Sequence, residues 1–103
     1  MVTVLQNTDD AVNQTASVLS EFVKSHEHAE CVVYRYNPAS IRVRIVDPVF
    51  HGRSKGERHD YAMQFLRKLP EDVRAQISIL LCLEPGETSL LDLEFQDPMR
   101  SRL

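Results

Sequence analysis

Ten consecutive residues, Phe50-His51-Gly52-Arg53-Ser54-Lys55-Gly56-Glu57-Arg58-His59, hold the densest set of chemically useful side chains in this sequence. Arg53, Lys55 and Arg58 can grip phosphates, and the amides that open the following helix would add an anion-friendly end. Gly52 and Gly56 allow backbone conformations closed to other residues and let a partner approach closely. His51 and His59 titrate near neutrality, as proton-transfer groups do. The rest of a catalytic apparatus is not in the sequence. No nucleophile motif, P-loop, dinucleotide fingerprint or metal-ligand spacing accompanies the histidines, and Ser54 lacks a G-x-S-x-G setting. The stretch therefore reads as a binding surface of a non-enzymatic protein, with no catalytic residue, metal ligand or cofactor expected. A structural reading stands beside it: Phe50 plugs the core, Gly52 makes a turn, and Arg58 pairs with Glu57 or Asp60.

Charge sharpens the binding reading. The chain carries 12 Lys and Arg against 15 Asp and Glu, a net −3. Residues 35–74 alone hold nine cations (Arg35, Arg42, Arg44, Arg53, Lys55, Arg58, Arg67, Lys68 and Arg74) against five acids, whereas both flanks are acidic. Such asymmetry favours an anionic partner at one face. Ordinary solvated charge on the outer faces of strands and helices would give the same count.

The elements that position the stretch follow from periodicity. Val12, Ala16, Leu19, Phe22 and Val23 recur at spacings of three and four, which predicts an amphipathic helix with Thr8 as N-cap and Asp9 and Asp10 in its first turn. His26 and His28 follow at i, i+2, a spacing that does not place two ligands on one helical face. Cys31 to Tyr36 is rich in β-branched and aromatic residues, Asn37-Pro38-Ala39-Ser40 suits a tight turn, and Ile41 to Val46 alternates apolar with charged. This hairpin sends Ile41, Val43 and Ile45 inward and leaves Arg42 and Arg44 on a wet or partner-facing side. Tyr34, Tyr36 and Phe50 are either stackers for bases or packing residues. Asp47-Pro48 ends the strand.

A second helix is predicted over Lys55 to Leu69, stopped by Pro70, with a short third helix beginning at Pro70-Glu71-Asp72-Val73. Ile77 to Leu83 reads as a strand buried on both faces in a central or parallel position. Ser89 to Phe95 is ambiguous, since Leu91, Leu93 and Phe95 alternate as in an edge strand while Leu90 disturbs the pattern. With 103 residues and 43% hydrophobic composition, the chain fits one domain, ordered over about 8–96 and frayed over 97–103. No apolar run approaches the roughly 20 residues of a spanning helix, and the first ten residues lack the pattern of a secretory signal. The expectation is a cytoplasmic monomer without membrane insertion, its two cysteines, Cys31 and Cys82, free and buried.

Phe50, Gly52, Ser54, Arg58 and His59 fall at the spacing F-x-G-x-S-x-x-x-R-H, which resembles the signature of the BolA-like family. The element order helix, strand, strand, helix, short helix, strand is that of BolA-like proteins and, more loosely, of type II KH domains. The resemblance implies an α+β fold with a three-stranded mixed sheet and helices on one face. It also implies a small adaptor or regulatory role, with a monothiol glutaredoxin as partner and a link to iron-sulfur handling. Family members that share a [2Fe–2S] cluster with such a glutaredoxin supply a histidine at the start of the last strand, and a histidine or cysteine between the first two strands. Here the last strand opens Arg74-Ala75-Gln76-Ile77-Ser78 and the hairpin loop has neither residue, leaving Cys31 as the nearby candidate. The alternative implied by KH likeness is a nucleic-acid-binding module using the basic central segment, although its G-x-x-x-G spacing at Gly52 and Gly56 differs from the KH clamp G-x-x-G. The surface singled out by both readings is Arg42, Arg44, Phe50, His51, Gly52, Arg53, Ser54, Lys55, Arg58 and His59.

Overall fold

Two parallel strand pairs joined back to back by a hairpin make the sheet of this protein, as seen in a computed structural model that describes residues 1–6 and 8–96, with Glu94 and Gln96 described by backbone alone. The strands are β1 (Val2–Leu5), β2 (Glu30–Asn37), β3 (Ser40–Val46) and β4 (Ile77–Leu83), in spatial order β1-β2-β3-β4. β2 and β3 run antiparallel, while β1 is parallel to β2 and β4 to β3. Parallel neighbours need a crossover. Helix α1 (Asp10–Ser25) supplies the first, and α2 (Lys55–Leu66) with the single turn α3 (Glu71–Arg74) supplies the second.

The sheet thus has four strands rather than three. β1 escapes periodicity analysis because it has four residues, too few to separate a strand pattern from chance, and its partner lies across a whole helix. Val2 pairs with Cys31 and Leu5 with Tyr34. β4 spans the expected residues and is parallel, but it forms an edge of the sheet. The tail 97–103 lies outside the described residues.

Alternation along β3 divides the molecule into two layers. Ile41, Val43 and Ile45 join Val12, Leu19 and Phe22 of α1, and Ala62 and Leu66 of α2, in the main core. The rings of Phe22 and Phe65 meet edge to face with centroids 4.9 Å apart. His26 stacks flat on Phe22 at 4.0 Å. Its Nδ1–H donates to the Phe22 carbonyl, which leaves Nε2 to accept from the Tyr61 hydroxyl at 2.6 Å. This histidine therefore locks α1 to α2. The opposite face of the sheet carries a smaller cluster of Tyr34, Leu81, Leu83 and Phe95.

The helix ends follow from side-chain chemistry. Asp9, one residue beyond the expected Thr8, caps α1 by accepting from the Val12 amide, and the same carboxylate binds Arg35 of β2 at 2.7 Å. Hydrogen bonding to the Arg35 guanidinium, and then to the Val12 amide, holds the Asp9 carboxyl below its ordinary range. α2 stops three residues earlier than expected because Lys68 and Leu69 close tighter bonds to Phe65 and Leu66, yet Leu69 still reaches the core. Ser89 to Phe95 is no strand. Its Leu90–Asp92 portion is a 3₁₀ turn capped by Ser89, and Leu93–Gln96 forms a single helical turn, α4.

Candidate functional site

The ten-residue stretch begins where β3 ends. Asp47, buried, accepts from the Val49 amide and opens a short 3₁₀ turn, Pro48–Phe50, that drops Phe50 into the core at 0% exposure. Gly52 follows at φ +76°, left-handed backbone that favours glycine, with open space around it. Gly56 has no such duty. It occupies an ordinary helical position in the first turn of α2, so the shared conformational role expected of the two glycines belongs to Gly52 alone.

Ser54 caps α2 through a full capping box. Its hydroxyl accepts from the Glu57 amide while the Glu57 carboxylate accepts from the Ser54 amide. These bonds, the backbone one first, lower the Glu57 pKa. Glu57 is thereby committed to the cap, and Arg58 pairs with neither Glu57 nor Asp60. Arg58 instead turns inward, 9% exposed, and donates to the Arg53 carbonyl at 2.9 Å, the Cys82 carbonyl at 3.2 Å and Glu87 Oε1 at 2.6 Å. Glu87 Oε1 also accepts from the Glu84 amide. Since the Leu83 carbonyl bonds the Asp47 amide on the β3 side, alternation turns the Cys82 carbonyl to the free edge of β4. Arg58 and Glu87 therefore fill, at the end of β4, positions that another strand would occupy.

With those residues spent on structure, four side chains of the stretch remain at the surface. His51, 84% exposed, hydrogen-bonds Glu84 Oε2 at 2.7 Å. Arg53 lies over the Tyr61 ring at 4.4 Å. Lys55 and His59 rim a groove of about 530 Å³ whose floor and far wall are Leu80, Leu81, Leu83, Leu90 and Leu91. Leu90 is 88% exposed. The groove has no sequence motif, because β4 and the turn after it meet α2 only through the fold.

Arg42 and Arg44 lie elsewhere. They project from the face of the sheet opposite α1 and α2, where the Arg42 guanidinium lies 3.5 Å from the Tyr36 ring centroid and donates to the Tyr34 hydroxyl, and Arg44 pairs with Asp92 at 2.7 Å. The basic central segment is consequently not one patch. Arg35, Arg44, Arg58 and Lys68 each contact a carboxylate, of Asp9, Asp92, Glu87 and Glu21 respectively. Cys31 is buried at the start of β2, and burial pushes its thiol up to about 12; Cys82 is pushed up to about 12 by the same cause. Neither offers a ready thiolate. Among the described residues, no group of three or more His, Cys, Asp or Glu side chains could hold a metal ion, and no helix is long and apolar enough to cross a membrane.

No known family pattern and no curated protein matches the sequence. A solved structure does: BolA1 from Arabidopsis thaliana superposes with a TM-score of 0.51 at 18% identity, covering 80% of this chain and 100% of that one. The fold is BolA-like. In this BolA-like fold the F-x-G-x-S-x-x-x-R-H residues have a physical explanation: core plug, left-handed turn, helix cap and edge clamp account for Phe50, Gly52, Ser54 and Arg58.

Proposed function

We propose that this chain is a non-enzymatic adaptor or regulatory protein that recognises a partner protein through the groove between α2 and the free edge of β4, together with His51, Arg53, Lys55 and His59. The observation that carries the reading is the division of the stretch: the residues that need to be rigid hold the turn and clamp the edge, and Lys55 and His59 between and beside them stay accessible at the groove. An apolar floor with a cationic rim suits a partner segment that is apolar and acidic. A monothiol glutaredoxin is the first partner to test, on the strength of the BolA-like fold and the sequence signature. Because burial raises both thiols and this chain has no histidine at the start of β4 or in the β2–β3 turn, where cluster-sharing relatives place ligands, the interaction proposed is one between protein surfaces. Isothermal titration of the glutaredoxin into wild-type protein and into a His51→Ala/Lys55→Ala/His59→Ala variant tests it. Binding weakened about tenfold or more by the variant, the scale of losing one to two interfacial contacts, is expected; equal affinity would remove these residues from the interface, and no binding to either would dismiss this partner.

A further inference from the structure

The groove between α2 and β4 has a sheet edge in its floor, and that edge is guarded at both ends but open between. At its start β4 carries a bulge, where the pairing of Ile41 with Ile77 gives way to that of Arg42 with Ile79. At its end Arg58 covers the Cys82 carbonyl. Bulges and charged covers are how edge strands are kept from pairing with other chains. Between these guards lies Leu80. The Leu83 carbonyl bonds the Asp47 amide, so alternation turns Leu81 and Leu83 toward β3 and the main chain of Leu80 and Cys82 outward. The Leu80 amide and carbonyl and the Cys82 amide thus face the open edge, and among the described residues no group pairs with them. Main-chain groups in an apolar setting call for a hydrogen-bonding partner.

The two walls beside this edge differ in kind. On the side of the main core, toward which Leu80 and Cys82 pack, stand Lys55 and His59 of α2, both exposed. On the other side, toward which Leu81 and Leu83 pack, stand Leu90 and Leu91. A strand lying along β4 sends alternate side chains to opposite faces, so every second one would meet cations and the others would meet leucines. Charge and apolarity together therefore ask for an extended segment in which acidic and apolar residues alternate. A second copy of this chain does not fit through its own β4, because Ile77 to Leu83 contains no acidic residue and its Leu80–Leu83 portion lies in the floor of the same kind of groove.

We infer that the partner binds by strand addition: an extended stretch of a partner protein, alternating acidic and apolar residues, pairs its main chain with Leu80 and the Cys82 amide, and sets its acids against Lys55 and His59 and its apolar side chains against Leu90 and Leu91. The inference rests on the groove being the partner site, and it adds the conformation of the ligand, its alternation and its register. The bulge and Arg58 fix that register, since pairing can extend past neither. A ladder this short contributes alignment, and the two walls contribute the selectivity.

The test is fluorescence anisotropy of a labelled synthetic peptide of about seven residues, an ordinary strand length, alternating valine and glutamate, titrated with the full-length chain. Successive amides of a strand point to opposite edges, so N-methylation of the glutamates and N-methylation of the valines block opposite sides of the peptide. One methylated peptide is expected to bind about tenfold more weakly, the scale of a carbonyl left without its donor, while the other binds as the parent does. Leu80→Pro removes an amide that β3 does not use and should weaken the parent peptide similarly, with Leu80→Val, which keeps the amide, as its control. Methylated peptides that bind alike, both unchanged or both lost, would overturn strand addition, as would no binding of the parent at millimolar concentration; should Leu80→Pro lose its fold, the methylated pair decides alone. The two readings fail separately. A glutaredoxin weakened by His51→Ala/Lys55→Ala/His59→Ala, with peptides indifferent to methylation, sinks strand addition and keeps the groove, whereas peptides that respond to methylation beside a glutaredoxin that does not bind keep strand addition and dismiss that partner.

Discussion

Within the signature stretch, neighbouring residues of similar type have opposite jobs, and substitutions should separate them. Gly52 sits at φ +76° with nothing near its would-be Cβ, so Gly52→Ala is expected to cost about 1 kcal/mol through backbone strain alone. Gly56 lies in open space inside a helix, and Gly56→Ala should stabilise by up to about 1 kcal/mol. Urea unfolding of the two variants checks the opposite signs. Arg58 bridges three elements, and Arg58→Met should cost about 1–3 kcal/mol, chiefly by leaving the Cys82 and Arg53 carbonyls without their donor. The same change alters the response to acid. The Arg58 guanidinium holds the Glu87 carboxyl below its ordinary 4.5, so the stability from this pair is present above that pH and is lost as pH falls through the lower folded value. Comparing urea midpoints at neutral pH and near pH 3.5 should show a smaller acid loss in Arg58→Met than in wild type. That Arg58 forms an ion pair was legible in the sequence; its partner was not, because local spacing offers Glu57 and Asp60, while Glu87 arrives only through the parallel placement of β4.

At the level of elements, legibility followed the length and purity of the pattern. β3 alternates from Ile41 to Ile45, and β4 is an apolar run interrupted by Ser78 alone and flanked by polar residues, so each was recognised nearly or wholly to its ends. β1 is four residues long and pairs across a helix, and Ser89–Phe95 mimics a two-residue period over too few residues to be tested. Capping is equally local and can be checked singly. Ser54→Ala should lose about 1 kcal/mol, and Asp9→Ala at least as much because the Arg35 contact goes with the cap, whereas Thr8→Ala should be close to neutral. Thermal melts of the three variants rank these effects; a Thr8→Ala loss matching that of Asp9→Ala would put the cap at the wrong residue.

For the molecule as a whole, the sheet acts as a partition. One side carries α1, α2 and the main core; the other carries the tyrosine and arginine face beneath the C-terminal segment; and the free edge of β4 joins them along the groove. A basic middle segment in the sequence suggested one cationic surface, but strand alternation and pairing with Asp9, Asp92, Glu87 and Glu21 distribute that charge over several faces. Composition records how many charges there are, and only topology decides which share a side. The surface proposed for a partner protein is centred on His51, Lys55, His59 and the leucines of the groove. The most direct test is an NMR titration of isotopically labelled protein with a monothiol glutaredoxin. Amide shifts concentrated in residues 51–59, 80–83 and 87–91 are predicted; shifts gathered at the 37–40 hairpin turn or on the Arg42 and Arg44 face, with the groove silent, would contradict the account.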